Sequence, residues 1–324
     1  MYYTEERINL YSKGLSDSEK EQCERTIRIF ENLLKKYGFS MTKKNFDEMD
    51  EEDLNYRYHI RKDNLEFTVF LQGSYGNGTC VKKDSDVDIA MICESTFIAR
   101  YPNGRNRTSY GFTSSTFNIL EFKKDFFNHI KNLGHNVKNK NKCIFIEGNQ
   151  TSNKDMDIVP SLRYRNYEND RYCDPNNYIY GVLIKTNDNR EIINYPEQSR
   201  INSIKKNKET SYYYKKIVRV LKNIKNDLLD EYKEYEDYIS SYAIECLTYN
   251  VPNSYFSSNS GEISIKQITN NVLYYLQNHE FINFYETNEL LKIFENPNNK
   301  IQKYKSFIRL MKKSLEPSYG TKVA

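Results

Sequence analysis

The stretch Gly73 to Met91, GSYGNGTCVKKDSDVDIAM, constrains the fold more than any other part of the chain. Upstream of it, Phe67, Val69 and Leu71 alternate with Glu66, Thr68 and Phe70, the pattern of a strand with one firmly apolar face. Gly73-Ser74 breaks that strand. Gly76 and Gly78 follow closely, so the backbone there can take positive φ and approach a ligand with no Cβ in the way. Asp86 then opens a second strand-like run, Val87 to Ile92. Alternation along a strand points Asp86 and Asp88 to one side, roughly 7 Å apart at Cα, and Val87 and Ile89 to the core. Two carboxylates forced side by side repel unless a cation sits between them, so the pair reads as a divalent-metal clamp. A plain turn and a solvated loop would account for each piece alone, and the combination argues for a site.

A chain of 324 residues is long enough for two domains or one large one. Trp is absent, but 29 Tyr and 17 Phe supply large apolar surfaces, so an aromatic-rich core is expected. The net charge of +4 suits an anionic small molecule as well as nucleic acid, and nothing points to a strong duplex-binding surface. The six cysteines are scattered without C-x-x-C spacing, which argues against a zinc site or a disulfide framework. No N-terminal apolar core of a signal peptide and no run of 18 apolar residues occurs, so a soluble, cytoplasmic protein with no membrane partner is expected.

Taken in order, Ser16 and Glu19 form a capping box. Cys23, Ile27, Phe30, Leu33 and Leu34 then recur at helical spacing until Gly38. Residues 39–63 are highly charged and read as a surface helix or loop. Residues 99–116 read as a flexible loop, a helix is expected over 116–133, and CIFIE (143–147) reads as a strand. In the next strand, DMDIVP, Asp157 lies between Met156 and Ile158, whereas the competing Asp155 follows Lys154. A hairpin is expected over 176–195 with its turn near Asn187 to Asn189, and the composition turns helical near residue 200. From Thr210 to Leu228 one apolar helical face is accompanied by a stripe of Lys215, Arg219 and Lys222. Such a stripe is commonly a solvated face, but beside a triphosphate site Lys215 becomes the candidate to neutralise β- and γ-phosphates. Further helices are expected around Ser241 to Tyr249, through Val272 to Leu276, and about 303–315.

The order of apolar strand, Gly-Ser, Gly-rich spacer and D-h-D-h resembles the nucleotide-binding signature of the polymerase-beta-like nucleotidyltransferase superfamily. That superfamily places its third carboxylate where Asp157 stands, because three carboxylates are needed to hold two metal ions about 3.5 to 4 Å apart. Four further segments, MDIVPSLRYR, INYPEQS, KNKETSYYYKKIVRVLKNIKN and SSYAIECLTYNVPN, occur in the order and spacing that resemble the cGAS/DncV-like nucleotidyltransferases, the CD-NTases. The resemblance spans roughly residues 65–255. It implies an α+β fold: a polymerase-beta-like core of mixed sheet and flanking helices over 1–200, and a helical domain over 201–324 that closes the nucleotide cleft.

It further implies template-independent synthesis of a cyclic di- or oligonucleotide messenger from NTPs, with pyrophosphate release, in anti-phage (CBASS-type) signalling through a downstream effector. Carried over residue by residue, Gly73 and Ser74 hold phosphate, and Asp86, Asp88 and Asp157 bind Mg²⁺ or Mn²⁺. Lys215 falls on the phosphate-contacting lysine and Ser241 on a phosphate-side serine, although the Pro that usually precedes that serine is Ser240 here. Asn166 is a candidate donor to a base carbonyl, with a turn asparagine as the competing reading. Some members are conjugated or regulated through the C-terminus, which makes the GTKVA tail a candidate attachment point. The alternatives are a nucleotidyltransferase acting on an RNA, protein or small-molecule acceptor, or a binding module that has lost catalysis.

Overall fold

The computed structural model describes residues 2–46, 56–81, 86–149, 151–236, 238–257, 263–295 and 300–316. Its elements in chain order begin with α1 (Glu5–Ser12), α2 (Asp17–Tyr37), β1 (Ser40–Lys43), β2 (Arg57–Lys62), β3 (Leu65–Leu71) and the single turn α3 (Gly73–Gly76). β4 (Val87–Arg100), α4 (Ile119–Asn132), β5 (Val137–Asn139), β6 (Ile144–Ile146), β7 (Met156–Asn166), β8 (Ile179–Lys185) and β9 (Glu191–Asn194) follow. The remainder is helical: α5 (Pro196–Glu209), α6 (Tyr213–Glu231), α7 (Ser241–Tyr249), α8 (Ile265–Asn278) and α9 (Lys300–Ser314). The fold is α+β and divides into two compact units.

One unit comprises Ser16–Gly76 and Ser85–Glu197. Its sheet runs β1-β2-β3-β4-β7-β6-β5, and β8 pairs with β7 and β9. β4 and β7 are parallel, while the remaining pairs are antiparallel. β7 is long enough to pair with β6 along its first half and with β8 along its second. On one face Phe67 meets Phe122 of α4 at 4.8 Å between ring centroids, and α2 joins through Tyr37 against Phe126 at 5.0 Å. The other face carries a smaller apolar cluster of Phe70, Ala90, Ile92, Val159, Val182 and Ile184. The capping box of α2 and its left-handed Gly38 (φ 103°) form as expected.

Residues 40–43 and 57–62, expected as surface helix or loop, are instead the strands β1 and β2. The reason is their position: β1 is the sheet edge, where charged side chains on solvent-facing positions discourage pairing with another chain and mask the alternation. Residues 47–55 of that stretch lie outside the described residues.

The other unit comprises Met1–Leu15, Asn77–Asp84 and Gln198–Ala324. Its core gathers Tyr214, Ile217, Val218, Leu221 and Ile224 of α6 with Ile8 of α1, Leu247 of α7, Val272 of α8 and Phe307 of α9. The helix expected from Thr210 begins instead at Tyr213, because Ser211 (φ 50°) and Tyr212 (φ 64°) are both left-handed. Thr210 supports that start, since its Oγ1 accepts from the Tyr214 amide at 3.1 Å. Among the described residues no helix is long and apolar enough to cross a membrane. The C-terminal GTKVA tail lies outside them.

Candidate active site

β3 is hydrogen-bonded to β4 up to its last residues, and the ladder is extended by the Gln72 amide donating to the Asp88 carbonyl at 3.0 Å. The next residue, Gly73, therefore passes directly over Asp88. Its φ is +62°, and a Cβ built on it would lie 2.4 Å from Asp88 Oδ2. Only glycine leaves that space open for the carboxylate. The chain then turns through α3, which carries Ser74. Across the sheet, the parallel register sets Asp88 directly opposite Asp157, so strands separated by about 4.8 Å bring the two carboxylates together on one face. Asp86 immediately precedes β4 and is exposed.

Asp155 is engaged elsewhere. Its Oδ1 accepts the Gly148 amide at 2.7 Å and its carbonyl accepts the Val87 amide at 2.8 Å. It fastens the start of β4 to β7, and Asp157 is the carboxylate that faces Asp88.

Electrostatically the carboxylates behave as a strained cluster. Burial, then the charges of Asp157 and Asp86, push Asp88 up to about 7. Although Asp86 is exposed as a residue, desolvation by the surrounding chain, followed by the charges of Asp157 and Asp155, raises it as well. Burial, followed by the charge of Asp157 and a hydrogen bond to it, drives the Cys143 thiol up to about 12. The Lys140 ammonium relieves part of this, with Nζ 3.3 Å from Asp157 Oδ1.

Among the described residues no three carboxylate, imidazole or thiolate groups close on a single point. Mg²⁺ does not require that closure, because it uses one or two carboxylates and completes its octahedron with waters and substrate phosphates. The hard oxygen donors of Asp86, Asp88 and Asp157, with the space above Asp88 kept clear by Gly73, fit such an ion.

Lys215, Arg219 and Lys222 are on α6 in the helical unit, and all three are buried. Arg219 donates to the carbonyls of Ser12 (2.8 Å) and Gly78 (2.7 Å). Lys222 Nζ meets Glu245 Oε2 at 3.0 Å, and Glu245 also accepts from Asn77 Nδ2 (2.9 Å) and Thr79 Oγ1 (2.8 Å). Burial opposes the Glu245 charge, but Lys222, Thr79 and Asn77 hold it below the ordinary carboxylate range.

Ser241 opens α7 and accepts from Lys225 Nζ at 2.6 Å, while Ser240, standing in place of Pro, caps the helix through the Ala243 amide. Asn166 closes β7, roughly 30 Å along the strand from Asp157. Its Oδ1 accepts the Glu168 amide at 2.9 Å in a local turn. Arg100 and Arg105 pair with Glu168 and Asp170.

Two features of the structure escaped the sequence reading. Lys140 stands in the run KNKNK, which has no periodicity to single it out. Glu245 did leave a signal, as the one acid inside the apolar helix SYAIECLTY.

Residues 167–316 match the model of the cGAS/DncV-like nucleotidyltransferase C-terminal helical domain. The chain is 38% identical to a cyclic GMP-AMP synthase, CdnE03, from Staphylococcus schleiferi, with 98% of each chain covered. The chain belongs to the cGAS/DncV-like nucleotidyltransferases. A cyclic dipyrimidine nucleotide synthase from Cecembia lonarensis is 31% identical over 78% of this chain and 76% of its own. The solved structure of the Elizabethkingia meningoseptica CdnE cyclic dinucleotide synthase, with GTP and Apcpp, superposes with a TM-score of 0.70 at 27% identity, covering 97% of this chain and all of that one.

Proposed function

We infer that this protein is a template-independent synthase that joins nucleoside triphosphates into a cyclic dinucleotide, and that ATP and GTP are its substrates. The observation that carries the reading is the β4–β7 register, which faces Asp88 with Asp157 beneath Gly73, in a chain similar over nearly its full length to a cyclic GMP-AMP synthase. In this reading Asp86, Asp88 and Asp157 hold Mg²⁺ or Mn²⁺, and Gly73 and Ser74 cradle the triphosphate. Lys215 and Ser241 take the phosphate-contacting roles that the family resemblance implies, and Asn166 stands outside the metal cradle.

The bound metal supplies charge neutralisation for the triphosphate and acidifies the attacking hydroxyl. Asp157 orients the 2′- or 3′-hydroxyl of one nucleotide and takes its proton. The ribose oxygen bonds to the α-phosphorus of the other nucleotide while the bond to the β-phosphate breaks, and pyrophosphate leaves. A second transfer of the same kind closes the ring. The product acts as a messenger for an effector in anti-phage signalling.

The test is incubation of the purified protein with Mg²⁺ and all four NTPs, each α-labelled in turn, followed by phosphatase and a 3′-5′-specific nuclease. The expected result is a phosphatase-resistant product carrying adenosine and guanosine label, absent from the Asp86→Ala, Asp88→Ala double variant. Label from pyrimidines alone would overturn the choice of bases. Phosphatase-sensitive extension of an added RNA would favour the acceptor-transferase alternative.

A further inference from the structure

Lys140 lies outside the carboxylate set and outside every segment that carries the family resemblance, yet it is positioned with unusual care. Its own backbone is fixed from behind. Lys123 of α4, almost fully buried, donates from Nζ to the carbonyl of Lys140 at 2.7 Å, to that of Asn141 at 3.2 Å and to Asn187 Oδ1 at 2.9 Å. Asn187 in turn donates from Nδ2 to the Lys140 carbonyl at 3.1 Å, and its amide donates to the Asn141 carbonyl at 3.0 Å. Placing a charged lysine inside the fold carries a desolvation penalty, and this one is offset by three acceptors, two of them carbonyls of the short loop that carries Lys140.

From that anchored loop the Lys140 side chain crosses the Phe145 ring, with Nζ 3.9 Å from its centroid, and reaches Asp157 Oδ1 at 3.3 Å. Phe145 is itself the cross-strand partner of Asp157. The side chain is 43% exposed, so its head group can leave that position without disturbing the core.

An ammonium and a divalent cation compete for the same carboxylate oxygens, and the two positive charges repel at close range. We propose that Lys140 is an exchangeable counter-ion of the carboxylate cradle: it neutralises Asp157 before metal arrives and, once displaced, turns to an anionic phosphate oxygen of the bound nucleotide. This rests on the metal reading of Asp86, Asp88 and Asp157. It gives the Lys123 anchor a purpose, because the contact of Nζ with Asp157 depends on where the Lys140 backbone is held. The pivot is held still while the tip moves.

The test is an Mn²⁺ titration of the full chain followed by electron paramagnetic resonance of the free ion. Wild type, Lys140→Met, Lys140→Arg and Asp157→Asn are compared without nucleotide, and folding is checked by circular dichroism. A parallel titration with a non-hydrolysable NTP analogue in saturating Mn²⁺ reads nucleotide affinity. The expected result is that Lys140→Met binds Mn²⁺ about three- to tenfold more tightly than wild type and the NTP analogue about tenfold more weakly, with Lys140→Arg near wild type in both. Equal or weaker Mn²⁺ binding by Lys140→Met, with wild-type binding intact and lost in Asp157→Asn, would overturn the role of Lys140 and leave the metal site standing. Tighter Mn²⁺ binding with unchanged nucleotide affinity would overturn the turn toward phosphate. Absence of Mn²⁺ binding in wild type and Lys140→Met alike would overturn both readings.

Discussion

Replacing Gly73 by alanine is the sharpest test of how the site is built. Two costs follow from its geometry. The residue sits at φ +62°, where an L side chain crowds its own backbone and costs about 1 to 2 kcal/mol. The added Cβ would also lie 2.4 Å from Asp88 Oδ2 and 3.3 Å from its Cγ, well inside contact distance. The carboxylate must retreat by about 1 Å, and a misplacement of that size at a reacting centre costs about a hundredfold in rate. The two effects are separable. The stability loss reads out as a drop of a few degrees in the thermal midpoint, because about 1 kcal/mol shifts a domain of this size by about 2 to 4 °C. The rate loss reads out as kcat for cyclic product at saturating NTP and Mg²⁺. The expected pattern is a folded protein, slightly less stable, with kcat down about a hundredfold. Activity within about threefold of wild type would refute the argument that the space above Asp88 is kept clear for metal and phosphate.

Three further outcomes follow from other contacts. Glu245→Ala leaves Lys222, Asn77 and Thr79 without their shared buried acceptor. It should destabilise the protein by about 3 to 5 kcal/mol in urea unfolding, and a loss under 1 kcal/mol would show that the network is not charged. Lys206 is buried with Nζ on the Val251 carbonyl, and burial lowers its pKa from 10.5 to about 8. Between these values the unfolded chain holds a proton that the folded chain has released, so stability rises with pH through that window, by about 3 kcal/mol from this residue alone. The difference in unfolding free energy between wild type and Lys206→Met should therefore move in favour of wild type from pH 8 to 10, and a flat difference would contradict the assignment. Asp155→Asn can still accept the Gly148 amide and should keep cyclase activity within about threefold, whereas Asp157→Asn should lose at least a thousandfold. Equal losses would place both carboxylates on the metal.

The local pattern of the chain carried the strand, the Gly-Ser break and the acidic pair, because side-chain alternation and glycine placement are short-range signals. It also favoured Asp157 over Asp155 from the residue preceding each, and the structure gives Asp155 a separate backbone-holding task. The facing of Asp88 and Asp157 could not be read locally. It arises from a parallel pairing of strands about seventy residues apart, and such a register is decided by packing on both faces of the sheet. The basic stripe on α6 shows a different limit. Periodicity says which residues share a helix face and nothing about what that face meets, so Arg219 and Lys222 read as part of a commonly solvated stripe when they are buried against backbone carbonyls and Glu245.

That burial bears on the Gly-rich spacer itself. A loop that must bring its backbone close to phosphates cannot carry bulky side chains, and a glycine-rich loop loses much conformational entropy when it is ordered. The chain separates the two demands along its length. Gly73 and Gly76 provide the close approaches, with a Cβ at either clashing at 2.4 Å, against Asp88 and the Leu71 carbonyl respectively. Immediately beyond them, Asn77, Gly78 and Thr79 are gripped by Arg219, Lys222 and Glu245, three charged side chains whose own burial would be unfavourable without those partners. Each half stabilises what the other lacks: the loop satisfies the buried charges of α6 and α7, and those charges fix the segment into which the glycines run. A buried polar network of this kind is fully satisfied in only one arrangement, so Glu245 and Lys222 fix the positions of Asn77 and Thr79 within the helical unit.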